Sequence, residues 1–509
     1  MSNTSRQIKL GAMISYLALG ISIASSLLYL PWMVSKIGKS NYALYTLASS
    51  FIAIFLFDFG LSSSVQRFVA KYNAEGQTEK INEVVSTTAR LYLIIDGALL
   101  AVLTVLYFFL GQIYTGLTEE EIIIFRQLYI IVAISSIISF PFIPLSGILN
   151  AYELFIQQKS AELFHRLFST ALTVVALLNG GDVRSLVIAH AISSVITIGI
   201  KLYFVKRQTT VRPGIRRFNR TVFSEVAQFS IWITIMSLAQ RCVFNLAPSI
   251  LGIVSNSEEI ALFAPASALE GYFYSLSAAV NGLFLATISR YITRNEEEKI
   301  YNLTVRVGRY QFLVLGLVFI EFLCVGHDFM IQWMGKDFVG VWPCTIILLF
   351  PEVMIYSQQI ADTTVIAKNK VKKQAIGYII MAGSCIGLSF LLSRLTGALG
   401  ACIAIAVAYT ILFVYMNILY YKDLHINVFG FYKECYLKLG IPMTGVAIAG
   451  YILCSKVLQA SGWSSIMIKG SIVLLIYIGV MSCFLDQREK DMIRRMIRRG
   501  KPSGKDTET

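Results

Sequence analysis

Hydrophobic residues occur along the chain in long runs that short polar connectors separate. Most of the runs approach the roughly 20 residues that an α-helix needs to cross a bilayer core of about 30 Å. In lipid a chain must satisfy its own backbone hydrogen bonds, so such runs form helices. The pattern predicts an all-α integral membrane protein with about 14 transmembrane helices. The approximate ranges are 11–33, 43–64, 91–113, 127–149, 163–180, 185–205, 229–252, 259–283, 308–326, 341–362, 374–393, 397–421, 439–455 and 468–485.

The charges on the connectors predict the orientation. If the amino terminus is cytoplasmic and all fourteen runs cross, eight of the 44 Lys and Arg lie outside and Arg241 lies within a run. The remaining 35 lie on the cytoplasmic side or at its membrane edge. Such a bias is typical of cytoplasmic loops, so both termini are predicted to be cytoplasmic. The eight outer residues are Lys36, Lys39, Arg126, Arg184, Lys336, Arg394, Lys456 and Lys469.

A diverged repeat divides the chain into two halves. The string Ala43–Tyr45 returns as Ala261–Phe263 after 218 positions, and the spaced residues of Lys80–Arg90 return in Lys299–Arg309 after 219. The period holds six helices, which predicts two six-helix lobes of the same orientation, with cargo between them. The predicted parts are 1–210 with helices 1–6, 211–425 with helices 7–12, 426–485 with helices 13 and 14, and a basic cytoplasmic tail over 486–509.

Composition excludes several classes of function. Only 15% of the residues are charged and 56% are hydrophobic, and the net charge of +14 follows the cytoplasmic membrane edge, which argues against nucleic-acid binding. The eight cysteines are scattered without ligand spacing, so neither a metal site nor a disulfide framework is expected. No catalytic residue and no cofactor are predicted. The tail, with apolar residues at helical spacing among arginines, is interpreted either as a helix on anionic lipids or as a topogenic signal.

Charged residues within the apolar runs are the first candidates for function. Arg241 lies midway along the run from Val226 to Ser257, which holds no other charge. Even on insertion scales a cation there costs about 2.5–3.5 kcal/mol. An anionic cargo passing Arg241 would explain it, and a structural ion pair with Glu270 of the next run is the alternative.

Three further carboxylates lie within or at the edge of runs. Glu352 follows Pro351, which can kink a helix and free a carbonyl. Asp58 is interpreted as a partner of a basic residue or, second, as a site for H⁺ or Na⁺, and Asp96 fits either role. The same H⁺ or Na⁺ coupling is the alternative for Glu270 and Glu352. His190 is interpreted as a satisfied core histidine, with a proton relay as the second interpretation.

Arginines near the cytoplasmic ends of the runs form a second candidate set. Arg67, Arg90, Arg166 and Arg290 would together make a basic vestibule, because the guanidinium binds phosphate oxygens in a bidentate way. The alternative is that they only set the topology. Arg166 also stands four residues after Glu162, a spacing that supports a local ion pair, but snorkelling of its side chain to the membrane interface is the favoured interpretation.

Several strings resemble a known family. Tyr42–Leu47, Phe57–Leu61 and Arg67–Tyr72, with Thr364–Lys372 in the second half, are similar to the Wzx-type polysaccharide flippases. These belong to the multidrug/oligosaccharidyl-lipid/polysaccharide exporter superfamily. The resemblance implies two six-helix lobes around a central cavity and a polyprenyl-diphosphate-linked oligosaccharide as cargo.

The leading hypothesis is therefore a flippase. It would move such repeat units from the cytoplasmic to the outer leaflet of the bacterial inner membrane by alternating access, for an O-antigen or capsule-like polysaccharide. Its partners would be the lipid-linked oligosaccharide, anionic lipids and other polysaccharide assembly proteins. The alternatives are a cation-coupled multidrug exporter of the same superfamily and a membrane polysaccharide polymerase or ligase.

Overall fold

The fold was analysed in a computed structural model of the 509-residue chain. The structure describes residues 20, 23–55, 58, 60–212, 220–278, 284–457, 462–486 and 489–490. Within these ranges the regular structure is helical and no strand is present. The predicted all-α membrane fold is thereby confirmed. Most of the basic tail predicted over 486–509, and the start of the first predicted helix, lie outside the described residues.

In the described part of the first half of the chain there are eleven helices, α1 to α11. They are α1 Ile23–Ile37, α2 Lys39–Phe55, α3 Leu61–Ala74, α4 Thr78–Ile113, α5 Glu119–Ser139, α6 Leu145–Ala151, α7 Phe155–Leu178, α8 Val183–Gln208, α9 Arg220–Asn245, α10 Ala247–Val254 and α11 Ser257–Ala278. Local sequence sets several starts. Thr118 and Glu121 form a reciprocal capping box at α5, and the Asp182 carboxylate accepts backbone N–H groups at the start of α8.

The described residues of the second half form eight further helices. They are α12 Leu285–Thr293, α13 Glu297–Met334, α14 Val341–Ser357, α15 Gln359–Ala367, α16 Val371–Leu424, α17 Val428–Phe431, α18 Lys438–Ile452 and α19 Trp463–Phe484. A π-helical turn, Tyr432–Leu437, joins α17 to α18. The dihedral angles of Thr396 and Gly397 interrupt α16, so two helical segments follow each other there.

Nine helical stretches of the described chain are long and apolar enough to cross a membrane. A tenth is present if the segment Thr234–Asn245 and α10, which meet at 43°, form one span. Every apolar run that the sequence marked overlaps a helix, but the number fourteen stays a prediction. The chain is a multi-pass membrane protein.

Helix boundaries repeat along the chain at the offset that the sequence indicated. Helix α3 ends at Ala74 and α4 begins at Thr78, while α12 ends at Thr293 and α13 begins at Glu297. Both pairs are 219 positions apart. The connectors Ala74–Thr78 and Thr293–Glu297 are therefore equivalent positions of the repeat.

The contacts define two compact units. The first comprises residues 1–275, 343–348 and 370–416, and the second comprises 276–342, 349–369 and 417–509. In the first, α7 packs on α8, α5 packs on α2, α4 and α8, and α9 packs on α2, α3 and α4. In the second, α13 packs on α15, α18 and α19. The boundaries predicted at 210, 425 and 485 stay a prediction.

Candidate functional site

A polar cavity of about 530 Å³ lies within the first unit. Its walls come from α2, α5, α6, α7 and α8, with the short segment between α5 and α6. Most lining polar groups are hydroxyls, which can donate and accept hydrogen bonds. The polar lining residues are Tyr45, Ser49, Ser135, Ser139, Ser146, Glu162, His165, Arg166, His190, Ser194, Thr197 and Lys201.

Helical spacing brings the charged residues to this cavity. Glu162, His165 and Arg166 occupy positions i, i+3 and i+4 of α7, which share one face of a helix. On α8, His190 and Lys201 stand eleven residues apart with Ser194 and Thr197 between them at the same helical period. Because α7 and α8 pack on each other, the two polar faces line one space.

The cations of the cavity are only partly neutralised. Glu162 accepts from Lys159 at 3.0 Å and from the Gln158 amide at 2.9 Å, so its carboxylate is engaged on its own helix. The local Glu162–Arg166 ion pair that the spacing supports is not formed. Within the described residues Arg166 forms no ion pair, and its side chain is exposed. Lys201 donates to Ser146 Oγ at 2.9 Å.

Two histidine rings lie against each other in the cavity wall. The ring centroids of His165 and His190 are 5.2 Å apart, and His165 Nδ1 lies 3.3 Å from Thr197 Oγ1. Both residues also line a neighbouring cavity of about 240 Å³ that includes Tyr29 of α1. The sequence-based interpretation of His190 as a core histidine is wrong, because the residue is exposed to these cavities. The helical spacing of the polar residues from His190 to Lys201 could have indicated that His190 lies on a polar face of α8.

Arg241 lies at a break between α2 and α3. The structure describes α2 as far as Phe55, and the Ala53 carbonyl lies in this last described turn. Arg241 Nη1 donates to that carbonyl at 2.6 Å and attracts the Asp58 carboxylate. Arg241 itself does not line the polar cavity, but Ala53 does. Its role in cargo binding and its pairing with Glu270 stay predictions.

Asp58 organises the other side of the same break. Its Oδ1 accepts from the backbone N–H of Ser62 at 3.1 Å, in the first turn of α3, and from the Tyr92 hydroxyl at 2.5 Å. Tyr92 of α4 also contacts the Asp58 carbonyl at 3.1 Å. The expectation that Asp58 meets a basic residue of a neighbouring helix agrees with its attraction to Arg241.

The remaining predicted residues of the first unit lie apart from the cavity lining. Arg67 and Arg90 are exposed on α3 and α4. Asp96 is buried on α4, and its Oδ1 has no hydrogen-bond partner in the described part of the chain. Glu270 is buried on α11, where it interacts electrostatically with Tyr274. Of the four arginines of the predicted vestibule, only Arg166 is among the described lining residues of the cavity.

The other two predicted residues belong to the second unit. Arg290 is exposed at the end of α12, with Nη2 3.4 Å from Thr287 Oγ1. Glu352 is fully buried in α14 and accepts from the Tyr356 hydroxyl at 3.1 Å. Sequence reasoning did not mark Lys201 as a cavity residue. It also passed over Glu321, a half-buried carboxylate within α13 whose Oε2 lies near Gly470 of α19.

The second unit contains an apolar groove of about 750 Å³. Helices α13, α14 and α18 line it, and nearly all of its lining atoms belong to aliphatic or aromatic side chains and glycines. Phe312, Phe319 and Phe350 contribute rings, while Ile441 and Ile448 contribute branched side chains. A surface of this chemistry suits a hydrocarbon chain.

Comparison of the sequence with models of known protein families identifies the family of the chain. A family model described as polysaccharide biosynthesis protein matches residues 10–281, more than half of the sequence. The chain belongs to this family. The sequence strings resemble Wzx-type polysaccharide flippases, and the relationship to polysaccharide biosynthesis proteins that this resemblance implies is confirmed. Among curated proteins, no significant match to the sequence was found.

Solved structures share the fold of this family member at low sequence identity. The lipid II flippase MurJ in an inward closed conformation is 15% identical with a TM-score of 0.67, over 94% of this chain and 100% of that one. An inward-facing multidrug resistance MATE family transporter of the MOP superfamily is 15% identical with a TM-score of 0.65, over 82% and 97%. A MOP superfamily transporter from Pyrococcus furiosus gives a TM-score of 0.58 at 15% identity, over 81% and 94%.

Proposed function

We propose that this member of the polysaccharide biosynthesis family is a flippase for polyprenyl-diphosphate-linked oligosaccharide repeat units. It would move them from the cytoplasmic to the outer leaflet of a bacterial inner membrane by alternating access, with both termini cytoplasmic. The product would be an O-antigen or capsule-like polysaccharide, made together with other assembly proteins. The observation that carries the proposal is the cationic, hydroxyl-lined cavity of the first unit.

The charge of this cavity favours an anionic cargo. Arg166 and Lys201 face it, while the carboxylate of Glu162 is held by Lys159. A planar guanidinium can bind two phosphate oxygens at once, and an ammonium group adds a point charge. A diphosphate would therefore gain two charge-assisted contacts here. A cationic drug would meet repulsion at the same place, which argues against the multidrug exporter alternative.

The hydroxyls and the volume fit the remainder of such a head group. Ser49, Ser135, Ser139 and Ser194 can each donate to or accept from a sugar hydroxyl. A cavity of about 530 Å³ lies within the range of roughly 300–1,000 Å³ that is usual for small-molecule sites. The apolar groove of the second unit, lined by residues such as Phe319 and Ile448, suits the polyprenyl chain.

Transport would draw on ion gradients, the membrane potential or the cargo gradient. Asp58, Asp96, Glu270 and Glu352 are the carboxylates that we propose for H⁺ or Na⁺ coupling. Three of them lie in the first unit and Glu352 in the second. The exposed Arg67, Arg90 and Arg290 would instead set topology or attract cargo at the membrane edge.

The test replaces the cavity cations in a bacterial strain whose surface polysaccharide depends on this protein. The variants are Arg166→Gln, Lys201→Gln and the double substitution, and Arg184→Gln is the matched control. Arg184 is exposed at the far end of α8, where it pairs with Asp182. The double variant should lower surface polysaccharide more than about tenfold at unchanged protein amount, since each lost charged contact is worth about 1.5–3 kcal/mol.

The lipid fraction separates the alternatives. Accumulation of lipid-linked repeat units in the inner leaflet supports the flippase, whereas accumulation in the outer leaflet would indicate a polymerase or ligase. Normal polysaccharide in a deletion strain, together with drug sensitivity, would indicate a multidrug exporter. Wild-type polysaccharide levels in the Arg166→Gln/Lys201→Gln strain would contradict the role of this cavity.

A further inference from the structure

The two histidines of the polar cavity, His165 and His190, are not among the residues proposed to contact the cargo. His165 and His190 come from two packed helices, and their ring centroids lie 5.2 Å apart. Both rings line the 530 Å³ cavity and the adjoining 240 Å³ cavity. Histidine is the side chain whose ordinary pKa, about 6.5, places its charge change near neutral pH. A pair of such groups in one wall can hold a proton there.

The surroundings of the pair contain few groups that compete for a proton. On α7 and α8 the charged neighbours are Glu162, Arg166 and Lys201, and Lys159 holds the carboxylate of Glu162. Among the described residues, α1 and α2 line the two cavities with phenols, and α11 places a phenol beside Arg166, while Glu270 of α11 lies outside both linings. The lining residues of α5 and α6 have no titratable side chain. The phenols are those of Tyr29, Tyr45 and Tyr272, the last of which interacts with Arg166.

We propose that His165 and His190 form a proton-binding pair whose protonation is coupled to the binding of an anionic diphosphate in the cavity. In the empty cavity Arg166 and Lys201 repel a further positive charge. A bound diphosphate reverses the local potential, so that one imidazolium becomes favourable and donates a hydrogen bond to a phosphate oxygen. Repulsion between the rings limits the pair to about one proton.

The sign of the pH effect follows from this linkage. Because the bound state holds more protons at the pair than the empty state, raising the pH weakens binding. The dependence is limited to about a tenfold change in affinity per pH unit for one proton. The inference rests on the proposed anionic cargo, and its test must separate the two.

The experiment measures binding of farnesyl diphosphate to the purified full-length protein in detergent micelles at pH 6, 7 and 8. The test variant combines His165→Asn with His190→Gln. Asparagine can keep the contact that His165 Nδ1 makes with Thr197, and His190 is exposed. The control is His425→Asn, in the second unit, where an exposed residue at φ 56° accepts asparagine well.

Titration of the diphosphate itself affects all proteins equally, so the difference in pH slope is the readout. Between pH 6 and 8 the wild type and His425→Asn should lose about tenfold more affinity than the double variant. Calorimetry of the wild type in buffers of different ionisation enthalpy should show uptake of up to about one proton at pH 7. The calorimetric measurement uses only the wild type, so it does not depend on whether the double variant folds.

Two failures are distinguishable. Equal pH slopes in the wild type and the double variant, or no proton uptake by the wild type, overturn the proton-binding role while leaving the diphosphate cargo in place. If neither the wild type nor Arg166→Gln binds farnesyl diphosphate at any of the three pH values, both the inference and the proposed cargo site are overturned.

Discussion

Replacing Glu489 by Gln should release the chain that follows α19 from α13. Arg309 of α13 is 2% exposed, and its Nε and Nη2 donate to the two carboxylate oxygens of Glu489 at 2.7 and 2.9 Å. Glu489 is buried as well. The substitution keeps the size of the side chain, removes its charge and turns one acceptor into a donor. Arg309 would then be a buried cation that has lost its main partner.

The structure sets the magnitude of this change. Breaking a buried pair by removing one partner costs about 3–5 kcal/mol. The lower end applies here, because Arg309 keeps the carbonyls of Glu434 at 2.6 Å and Phe484 at 3.2 Å, and Asp486 lies at 3.5 Å. Since about 1.4 kcal/mol corresponds to a tenfold change, a loss of about 3 kcal/mol raises the local opening equilibrium by roughly 100-fold.

Cys435 provides the assay. It is fully buried, follows Glu434 in the chain and interacts electrostatically with Arg309. Modification by N-ethylmaleimide, quantified for each cysteine peptide by mass spectrometry, reports how often its surroundings open. In Glu489→Gln the Cys435 rate should rise roughly 100-fold. Cys402, fully buried in the first unit, should keep its rate and serves as the internal reference.

The matched control is Glu434→Gln in the same region. The Glu434 side chain pairs with Lys438 at 2.9 Å, but both are more than 40% exposed, so the loss should not exceed about 1 kcal/mol. A third variant, Arg309→Met with Glu489→Leu, removes both charges and should open less than Glu489→Gln alone. If Glu489→Gln labels Cys435 no faster than Glu434→Gln does, the reasoning about this buried pair is refuted.

Two further predictions concern breaks in the helices of the first unit. Arg241→Gln and Asp58→Asn should each lower thermal stability in detergent, and a double-mutant cycle should give a coupling of about 0.5–3 kcal/mol; additive effects would show that the two charges act independently. Gly397→Ala should cost about 1–3 kcal/mol, because φ is 59° and a Cβ would meet the Glu259 carboxylate at 2.3 Å. Gly387→Ala on the same helix, where a Cβ meets nothing within 4 Å, should be neutral or slightly stabilising.

Much of the architecture could be predicted because it follows from solvation. Long apolar runs must become helices in lipid, and the repeat at 219 positions recurs in the ends of α3 and α12. Part of the cavity lining could also be predicted from the sequence, because the spacing of Glu162, His165 and Arg166 places them on one helical face. Lys201 and His190 lie beside these residues because α7 packs on α8, and no local sequence pattern predicts that packing.

The pair formed by Arg309 and Glu489 could not be predicted. The two residues are 180 positions apart, and the sequence presents Arg309 as the repeat equivalent of Arg90. Arg90 is exposed, whereas Arg309 is buried against the end of α19. The two equivalent positions thus have different surroundings, because α13 packs on α19 and Arg309 contacts the residues at its end.

The price of inserting a cation into a membrane therefore predicts a compensating partner but does not identify it. Arginine has five N–H donors, which backbone carbonyls and carboxylates can accept from just as phosphate oxygens can. Arg241, the single charge of its run, meets the Ala53 carbonyl and Asp58. Arg166 instead shares a helical face with other polar residues and has no ion pair within the described chain. A lone intramembrane cation is thus the better candidate for a structural contact, and a cation among polar neighbours on packed helices is the better candidate for cargo.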